Sequence, residues 1–379
     1  MFLNGVSISN FRNIENIEIN FNGSHAAFIG PNGAGKTNLL EAVYFALKGR
    51  PFRPFVQKED LFPNTCVETH KELLIKLDLF EEGDRQNNLQ INGNLLKRRF
   101  SFMRNEKKVS VSDLSFRFPV IAFSPQDHEL VRGGPEVRRR FLDQVFADVC
   151  PGYHEICNLF DQSLKQRNRL LKLVADKETS PYELKSWNQV FAERAFQLAQ
   201  IKKEVFPEFL HHFSKICQNM NDDFYRQIQI HLETSVTTAE ELLKTLESDL
   251  PKDLGTKWTH SGPHRDDLIL SAYGQKSRST ASQGQGRLLG LLLRWTHAQW
   301  IQKARQEKAL FILDDFSSEL DQSHRDHLIR SIFSDENQVL WSATELPQNN
   351  FLADMFKRSK LFNISNGQIQ IENSINSAL

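Results

Sequence analysis

The run Gly30-Pro31-Asn32-Gly33-Ala34-Gly35-Lys36-Thr37 has the residue types and the spacing of a phosphate-binding loop. Its glycines allow successive backbone N–H groups to face phosphate oxygens, and the helix that follows adds the positive end of its dipole. In such a loop the lysine reaches the β- and γ-phosphates and the final hydroxyl, here Thr37, holds Mg²⁺. A glycine-rich turn with a chance lysine is the alternative, expected at random in on the order of 1 in 100 chains of this size. The sequence therefore predicts a nucleoside triphosphate site formed by this loop and Asn38.

Two adjacent carboxylates follow an apolar run late in the chain. The run Ala309–Leu313 has the pattern of a buried strand and ends in Asp314-Asp315. Mg²⁺ beside a phosphate loop needs a carboxylate ligand, direct or through water, and Asp314 would supply it. Asp315 is placed to orient an attacking water as a general base. An acidic turn at a strand end is the alternative, which the phosphate loop elsewhere in the chain disfavours.

A third motif lies upstream of these carboxylates, in the stretch Ser279–Arg287. Ser282, Gln283, Gly284 and Gln285 precede an apolar run and offer a hydroxyl and free N–H groups at a helix start. An ordinary serine-capped helix explains the same pattern. One chain has little need of two triphosphate-binding helix ends, whereas two chains facing head to tail would use both around a shared nucleotide.

The elements that must position these residues follow from the apolar patterns. A strand over Ala26–Ile29 precedes the phosphate loop, and a helix follows it and ends at Gly49. An Asn92-Gly93 pair predicts a hairpin turn after a short strand. The other predicted strands are two within Val6–Phe21, and Leu73–Phe80, Leu89–Ile91, Pro119–Phe123, Leu268–Leu270, Ala309–Leu313 and Gln338–Trp341. Strands that alternate with helices favour an α/β fold with a largely parallel sheet in the last part of the chain.

The middle of the chain differs from the rest in glycine content and in the spacing of its apolar residues. No glycine occurs between Gly152 and Gly255, and apolar residues from Leu184 to Val205 recur at spacings of three and four. Ser180 followed by Pro181 predicts the start of this long helix. We expect a mostly helical insert at residues 151–255 that splits one discontinuous domain into residues 1–150 and 256–379.

Composition limits the class of protein. Formal net charge is zero over 379 residues, so a nucleic-acid surface has to be a local patch. The four cysteines are scattered and fit neither a disulfide framework nor a zinc site. No run approaches the length of a membrane span, and the first residues lack a signal-peptide pattern. These observations predict a soluble, cytoplasmic protein without a membrane partner.

The motifs together resemble a known family. Gly30–Thr37, Ser282–Gln285, Asp314-Asp315 and Ser317–Asp321 are similar to the Walker A, signature, Walker B and D-loop motifs of ABC-type ATPase heads in the SMC-like group. Within that group the match is to the RecF family of bacterial DNA replication and repair proteins. The other runs that carry it are Asn10–Asn13, Asn38–Ala42, Arg138–Asp143, Gln166–Asn168 and Gly262–Asp267.

The resemblance implies an α/β P-loop ABC-type ATPase head and an ATP-dependent DNA-binding protein. ATP and Mg²⁺ would bind at Lys36, Thr37, Asp314 and Asp315 of one copy and at Ser282–Gln285 of a second, so that ATP drives a homodimer. It also implies Gln126 and Thr344 as further nucleotide contacts. Members of the family act at single-strand gaps with RecO and RecR to help load RecA, and slow hydrolysis lets them release DNA.

Local charge is the remaining clue to DNA. Lys97-Arg98-Arg99, Arg104 and Lys107-Lys108 surround one predicted hairpin, and Arg138-Arg139-Arg140 opens a helix. Phosphate neutralisation uses such clusters. A solvated surface is the alternative, and without the resemblance it is the favoured one. A transporter-type ATPase subunit and a scaffold that holds ATP without turnover are the alternative functions. The glycine-free insert and the lack of a switch histidine after the last strand disfavour the transporter.

Overall fold

A computed structural model provides the structure of the chain. It describes residues 1–63, 72–81, 85–94, 97, 99–220, 222–315, 332–333, 337–345 and 358–371. The chain divides into two compact units, one that joins Met1–His128 to His297–Leu379 and one that comprises Glu129–Thr296. The helical insert expected at residues 151–255 lies within the second unit, and the three-part domain division with its boundaries stays a prediction.

The elements are numbered in chain order. The first part of the chain forms β1 Phe2–Phe11, β2 Ile14–Asn20, β3 His25–Ile29, α1 Lys36–Lys48, β4 Glu72–Glu81, β5 Arg85–Asn94, β6 Arg99–Arg104, β7 Lys107–Lys108, α2 Val111–Arg117 and β8 Val120–Phe123. The second unit begins with α3 Glu129–Arg132, α4 Pro135–Val149, α5 Tyr153–Ala175, α6 Pro181–Gln218, α7 Asp223–Arg226 and β9 Ile228–Glu233. It continues with α8 Ala239–Ser248, α9 Leu250–Thr256, β10 Asp267–Ala272, β11 Gln275–Lys276 and α10 Ser277–Thr280. Helix α11 Gln283–Arg305 leads back to the first unit, followed by β12 Leu310–Leu313, β13 Gln338–Ala343, β14 Ser359–Ser365 and β15 Gln368–Ile371, and short 3₁₀ helices lie at Lys58–Leu61, Pro125–His128 and Pro263–Arg265.

Two sheets form the first unit. One is antiparallel, with the order β2-β1-β4-β5-β6-β7. The other has the order β15-β14-β3-β13-β12-β8, and all of its pairs except β14 with β15 are parallel. Adjacent parallel strands require crossovers, so strands distant in sequence become neighbours. The predicted strands at Ala26–Ile29, Pro119–Phe123, Ala309–Leu313 and Gln338–Trp341 are confirmed as members of this sheet.

Helix α1 packs against both sheets of the first unit. It contacts β1, β4 and β5 of the antiparallel sheet and β8 and β13 of the parallel sheet. Most of its side chains are buried, because both of its faces meet a sheet. The helix ends where predicted, since Gly49 adopts a left-handed conformation with φ 65° and its N–H donates to Phe45 O at 2.7 Å.

The hairpin turn predicted at Asn92-Gly93 is wrong. Strand β5 runs through both residues, and Gly93 pairs with Leu73 on one side and Phe100 on the other. A Cβ on Gly93 would lie 2.7 Å from Cε1 of Phe100 and 3.2 Å from Cβ of Leu73. Gly93 therefore gives room to an aromatic ring on the neighbouring strand, which is another reason for glycine inside a strand.

The second unit is mostly helical, as expected. Helices α5 and α6 pack side by side, and α6 is capped by Ser180, whose Oγ accepts from the N–H of Tyr182 at 3.3 Å. The unit also contains a three-stranded antiparallel sheet of order β11-β10-β9. The predicted strand at Leu268–Leu270 thus belongs to this small sheet, and its assignment to a parallel sheet is wrong. No helix in the described part of the chain combines the length and apolar character needed to cross a membrane.

Candidate functional site

The carboxyl ends of four parallel strands meet at one edge of the first unit. Ile29 of β3 lies beside Ala343 of β13, and Leu313 of β12 lies between Trp341 of β13 and Phe123 of β8. The chain continues from these ends into the phosphate loop, Thr344, Asp314 and Gln126. This edge is where open α/β sheets bind ligands. Residues up to 314 positions apart in the sequence therefore come together at it.

The loop Gly30–Gly35 has the backbone of a phosphate cradle. Gly30, Gly33 and Gly35 have φ values of 156°, 81° and 111°, which side chains rarely allow. Lys36 is only 7% exposed, and its Nζ donates to the carbonyl oxygens of Gly30 at 2.6 Å and Pro31 at 2.9 Å. Burial lowers the pKa of Lys36, and the nearby Asp315 and Asp314 oppose that shift. The ammonium group is thus held over the loop by carbonyl acceptors.

Thr37 and Asp314 touch directly. The hydroxyl of Thr37 donates to Oδ1 of Asp314 at 2.8 Å. Ser342 on β13 donates to the same oxygen at 2.8 Å and accepts from the N–H of Asp315 at 2.8 Å. Burial raises the pKa of the Asp314 carboxyl, and the hydrogen bonds from Thr37 and Ser342 and the charge of Arg53 counter the shift. These contacts bring oxygen atoms from the first turn of α1, the end of β12 and β13 together.

These oxygens fit Mg²⁺ as the metal of the site. Hydroxyl and carboxylate oxygens are the ligands that Mg²⁺ prefers, with the remaining positions taken by water and substrate phosphate. Asp314 is 5% exposed and so lies out of bulk solvent, where a divalent cation would favour its ionised form. No cluster of three or more histidine, cysteine, aspartate or glutamate side chains forms a separate metal site among the residues that the structure describes.

A pair of arginines on one buried carboxylate adjoins the loop, and no role for this pair is predicted from the sequence. Glu41 of α1 is fully buried and lies 2.8 Å from Nη2 of Arg12. Nε of Arg53 donates to the same carboxylate at 3.0 Å, and Nη2 of Arg53 contacts it as well. Burial alone would lower the pKa of Arg53, but the hydrogen bond and charge of Glu41 outweigh it and the pKa is raised. No spacing rule connects these three residues, so only the fold identifies them.

Asn38 lies in the same network. Its Oδ1 accepts from Nη2 of Arg53 at 3.4 Å, and its Nδ2 donates to Oδ1 of Asn13 at 2.8 Å. Asn38 was predicted as a nucleotide contact, and both ends of its side-chain amide are bonded to protein here. The second asparagine, Asn13, belongs to the Asn10–Asn13 motif, and no separate role for it is predicted from the sequence.

Gln126 and Thr344 occupy the predicted edge of the sheet but are exposed. The N–H of Gln126 donates to Oγ of Ser124 at 3.1 Å, within the short 3₁₀ helix that follows β8. On β13 it is Ser342, two residues before Thr344, whose hydroxyl contacts Asp314. Their roles as nucleotide contacts stay predictions.

The motif Ser282–Gln285 forms a reciprocal cap at the start of α11 in the second unit. The Oγ of Ser282 accepts from the N–H of Gln285 at 3.2 Å, and Oε1 of Gln285 accepts from the N–H of Ser282 at 3.0 Å. Ser282, Gln283 and Gly284 are exposed, so this helix start is accessible to a second molecule. The predicted D-loop at Ser317–Asp321 lies outside the described residues.

The basic run at the start of α4 does not form a free surface. Arg138 is 8% exposed and makes a bidentate contact with Asp267, at 2.8 Å for each pair of atoms. Arg139 donates to the backbone oxygen of Asp266 at 2.8 Å. The interpretation of Arg138 as a phosphate contact is therefore wrong, because its guanidinium forms a buried ion pair with Asp267. Only Arg140 is exposed, and it pairs with Glu136 at 3.0 Å.

Comparisons with known proteins agree with this architecture. A family model described as RecF/RecN/SMC N terminal domain matches residues 2–369. The DNA replication and repair protein RecF of Natranaerobius thermophilus is 30% identical over 383 residues, with 97% of each chain covered. The protein of the same description from Lactobacillus johnsonii is 30% identical over 399 residues, with 99% of this chain and 100% of the relative covered.

Solved structures share the fold. A structure of the recombination mediator protein RecF-ATP in the RecFOR pathway covers 98% of both chains with a TM-score of 0.86 at 22% identity. An SmcHead bound to the C-winged helix domain of ScpA has a TM-score of 0.52 at 15% identity and covers 99% of this chain and 98% of that one. The predicted fold class, a P-loop ABC-type ATPase head with a mostly helical second part, is confirmed. The chain belongs to the RecF/RecN/SMC family and, within it, to the RecF proteins.

Proposed function

We propose that this chain is an ATP-dependent DNA-binding protein of recombinational repair and replication-fork maintenance. The observation that carries the proposal is the contact between Thr37 and Asp314 at the end of the phosphate loop. A hydroxyl and a carboxylate at this position are what a Mg²⁺-bound nucleoside triphosphate requires. Relatives named DNA replication and repair protein RecF support the choice of DNA as the partner.

In this proposal each residue of the site has a separate role in binding or hydrolysing the nucleotide. Lys36 exchanges the carbonyls of Gly30 and Pro31 for phosphate oxygens, which are stronger acceptors because they are charged. Thr37 and Asp314 hold Mg²⁺, and the ion, when bound, neutralises phosphate charge. Asp315 orients the attacking water as a general base. Hydrolysis is slow and DNA-stimulated, and it acts as a timer for release.

ATP joins two copies of the chain head to tail. Ser282–Gln285 of one copy then reaches the nucleotide held by the loop of the other, through the exposed start of α11. The ATP-bound dimer holds DNA through its backbone at single-strand gaps and at junctions of single-stranded with duplex DNA. With RecO and RecR it helps to load RecA there. The RecF-ATP structure in the RecFOR pathway, which shares the fold of this chain, supports this part of the proposal.

A DNA-retention assay tests the proposal. Gapped DNA labelled with a fluorophore is titrated with the wild-type chain, with and without ATP and Mg²⁺, and with Lys36→Met. We expect ATP to strengthen retention by the wild type and to have no effect on Lys36→Met. Lys76→Met, a change at an exposed lysine of β4, serves as the control and keeps the ATP response. If Lys36→Met responded to ATP like the wild type, ATP-dependent DNA binding would be wrong.

A further inference from the structure

We propose that Asn13 and Gly367 are positioning residues that hold the phosphate-binding loop in its anion-binding shape. They lie in two turns that are 354 residues apart in the numbering and that both contact the loop. Asn13 lies between β1 and β2, and Gly367 lies between β14 and β15. The proposal rests on the proposed function, because it concerns the same nucleotide site.

Asn13 holds one peptide of the loop through its side chain. Its Nδ2 donates to the carbonyl oxygen of Gly33 at 3.2 Å. Its Oδ1 accepts from Nδ2 of Asn38 at 2.8 Å, which orients the amide. Asn13 thereby links the loop to the first turn of α1, where Lys36 and Thr37 also lie.

Gly367 holds the next peptide through its backbone. Its N–H donates to the carbonyl oxygen of Ala34 at 2.8 Å. Gly367 has a left-handed φ of 73°, and a Cβ at this position would collide with the carbonyl oxygen of Asn13. The hairpin of β14 and β15 reaches the loop because β14 runs parallel to β3, the strand that leads into it.

Two glycines of the loop leave room for the close approach of the Asn13 and Gly367 turns and of β14. A Cβ on Gly35 would lie 3.2 Å from Oδ1 of Asn13 and 3.5 Å from Cα of Gly367. A Cβ on Gly30 would collide with the carbonyl oxygen of Ile364 on β14. These glycines therefore serve the approach of neighbouring protein segments in addition to the curvature of the loop.

Fixing two successive carbonyls also fixes N–H directions. A peptide is planar and trans, so the N–H of a residue points opposite to the carbonyl of the residue before it. The bond at Gly33 O sets the N–H of Ala34, which donates to the carbonyl oxygen of Pro31 at 3.2 Å and closes the turn of the loop. The bond at Ala34 O turns the N–H of Gly35 away from Gly367. A donor preset in this way, the N–H of Gly35, binds an anion without the cost of ordering the loop at the moment of binding.

The test compares three substitutions by nucleotide affinity. Asn13→Ala removes both side-chain bonds, and Gly367→Ala introduces the collision. Gly23→Ala is the matched control, because Gly23 has a φ of 72° in a turn of the same unit but a Cβ there would meet only Cβ of Phe2 at 3.9 Å. Each variant is titrated with a fluorescent ATP analogue at a temperature well below its melting point, and the melting temperature without nucleotide is recorded separately.

We expect the dissociation constant to rise roughly tenfold for Asn13→Ala, because one of the two lost hydrogen bonds, that to Gly33 O, is made to the loop itself. For Gly367→Ala we expect a larger rise. Gly23→Ala should bind like the wild type even where its melting temperature falls. If Gly367→Ala does not fold, Asn13→Ala decides, because it only shortens a side chain.

Two results would overturn the inference. The first would leave the proposed function intact, and the second would overturn that function as well. If the wild type binds, Lys36→Met does not, and Asn13→Ala and Gly367→Ala bind like the wild type, the turns are merely structural and the nucleotide site stands. If the wild type itself does not bind the ATP analogue, both the positioning role and the proposed function fail.

Discussion

Asp314 combines burial with a charge that the proposed chemistry needs. Its pKa is raised by burial, so the folded state binds a proton at Asp314 more tightly than the unfolded chain does. The stability that this provides is present below the ordinary pKa of aspartate and is lost as pH rises through the raised value. At neutral pH the ionised carboxylate is therefore a net cost to the nucleotide-free fold.

Asp314→Asn tests this balance. An amide oxygen still accepts from Thr37 and Ser342, while the buried charge disappears. We expect the nucleotide-free variant to melt at a higher temperature than the wild type at pH 7, with the gain shrinking toward pH 4. We also expect Mg²⁺-dependent hydrolysis to fall by roughly 100-fold or more, because a metal supplies several kcal/mol of charge stabilisation. Calorimetry and a phosphate-release assay measure the two effects, and a lower melting temperature at pH 7 would contradict the account.

Arg138 illustrates a buried ion pair whose loss is costly. Arg138→Ala leaves Asp267 buried without its partner, which typically destabilises by about 3–5 kcal/mol. Arg140→Ala is the control, because its pair with Glu136 is exposed and such helical pairs contribute about 0.3–0.5 kcal/mol. Urea unfolding of the two variants measures the difference. Equal losses at the two positions would contradict the structural role of Arg138.

At the scale of elements, two glycines should respond in opposite directions to the same substitution. Gly93→Ala places a Cβ against Phe100, whose ring stacks on Phe62 with centroids 5.1 Å apart. Overpacking of this kind costs about 1–3 kcal/mol. Gly255 lies in helix α9 with open space around its Cβ position, so Gly255→Ala should stabilise by up to about 1 kcal/mol. Thermal unfolding of both variants gives the signs, and a stabilising Gly93→Ala would refute the packing argument.

The strands β6 and β7 offer an exposed basic hairpin. Arg99, Lys107 and Lys108 are exposed on it, unlike the basic run at the start of α4. We predict that the double variant Lys107→Glu, Lys108→Glu weakens DNA binding without regard to sequence and lowers the salt slope by roughly 1 for each lost phosphate contact. Lys76→Glu, at an exposed lysine of β4 in the same sheet, is the control. Titrations at several salt concentrations measure the slope, and an unchanged slope would exclude this hairpin from the DNA surface.

The sequence predicted the elements whose signals are local. The phosphate loop, its flanking strand and helix, and the cap of α6 at Ser180 all depend on neighbouring residues, and the structure has these elements. The turn at Asn92-Gly93 failed because the same dipeptide also suits a strand that must admit a neighbouring ring. The contacts of Asn13 with Gly33 and of Gly367 with Ala34 join segments far apart in the chain. No local pattern carries such contacts, so they could not be predicted from one sequence.

At the scale of the whole molecule, the two compact units carry different parts of the proposed site. The phosphate loop and Asp314 belong to the first unit, and Ser282–Gln285 begins α11 in the second. A nucleotide shared between two copies would explain why one chain has both a phosphate loop and an exposed, capped helix start. Association that depends on ATP is the property that this arrangement predicts.

Light scattering with and without ATP and Mg²⁺ tests this claim most directly. The variant Asp315→Asn is used because losing the proposed general base slows hydrolysis and preserves the ATP-bound form. We predict a mass of one chain, 43.8 kDa, without nucleotide and twice that mass with ATP. In the same background Ser282→Arg should bind ATP and stay at the mass of one chain, whereas Ser282→Thr, which keeps the capping hydroxyl, should double. A mass of one chain for Asp315→Asn at saturating ATP would contradict the shared site.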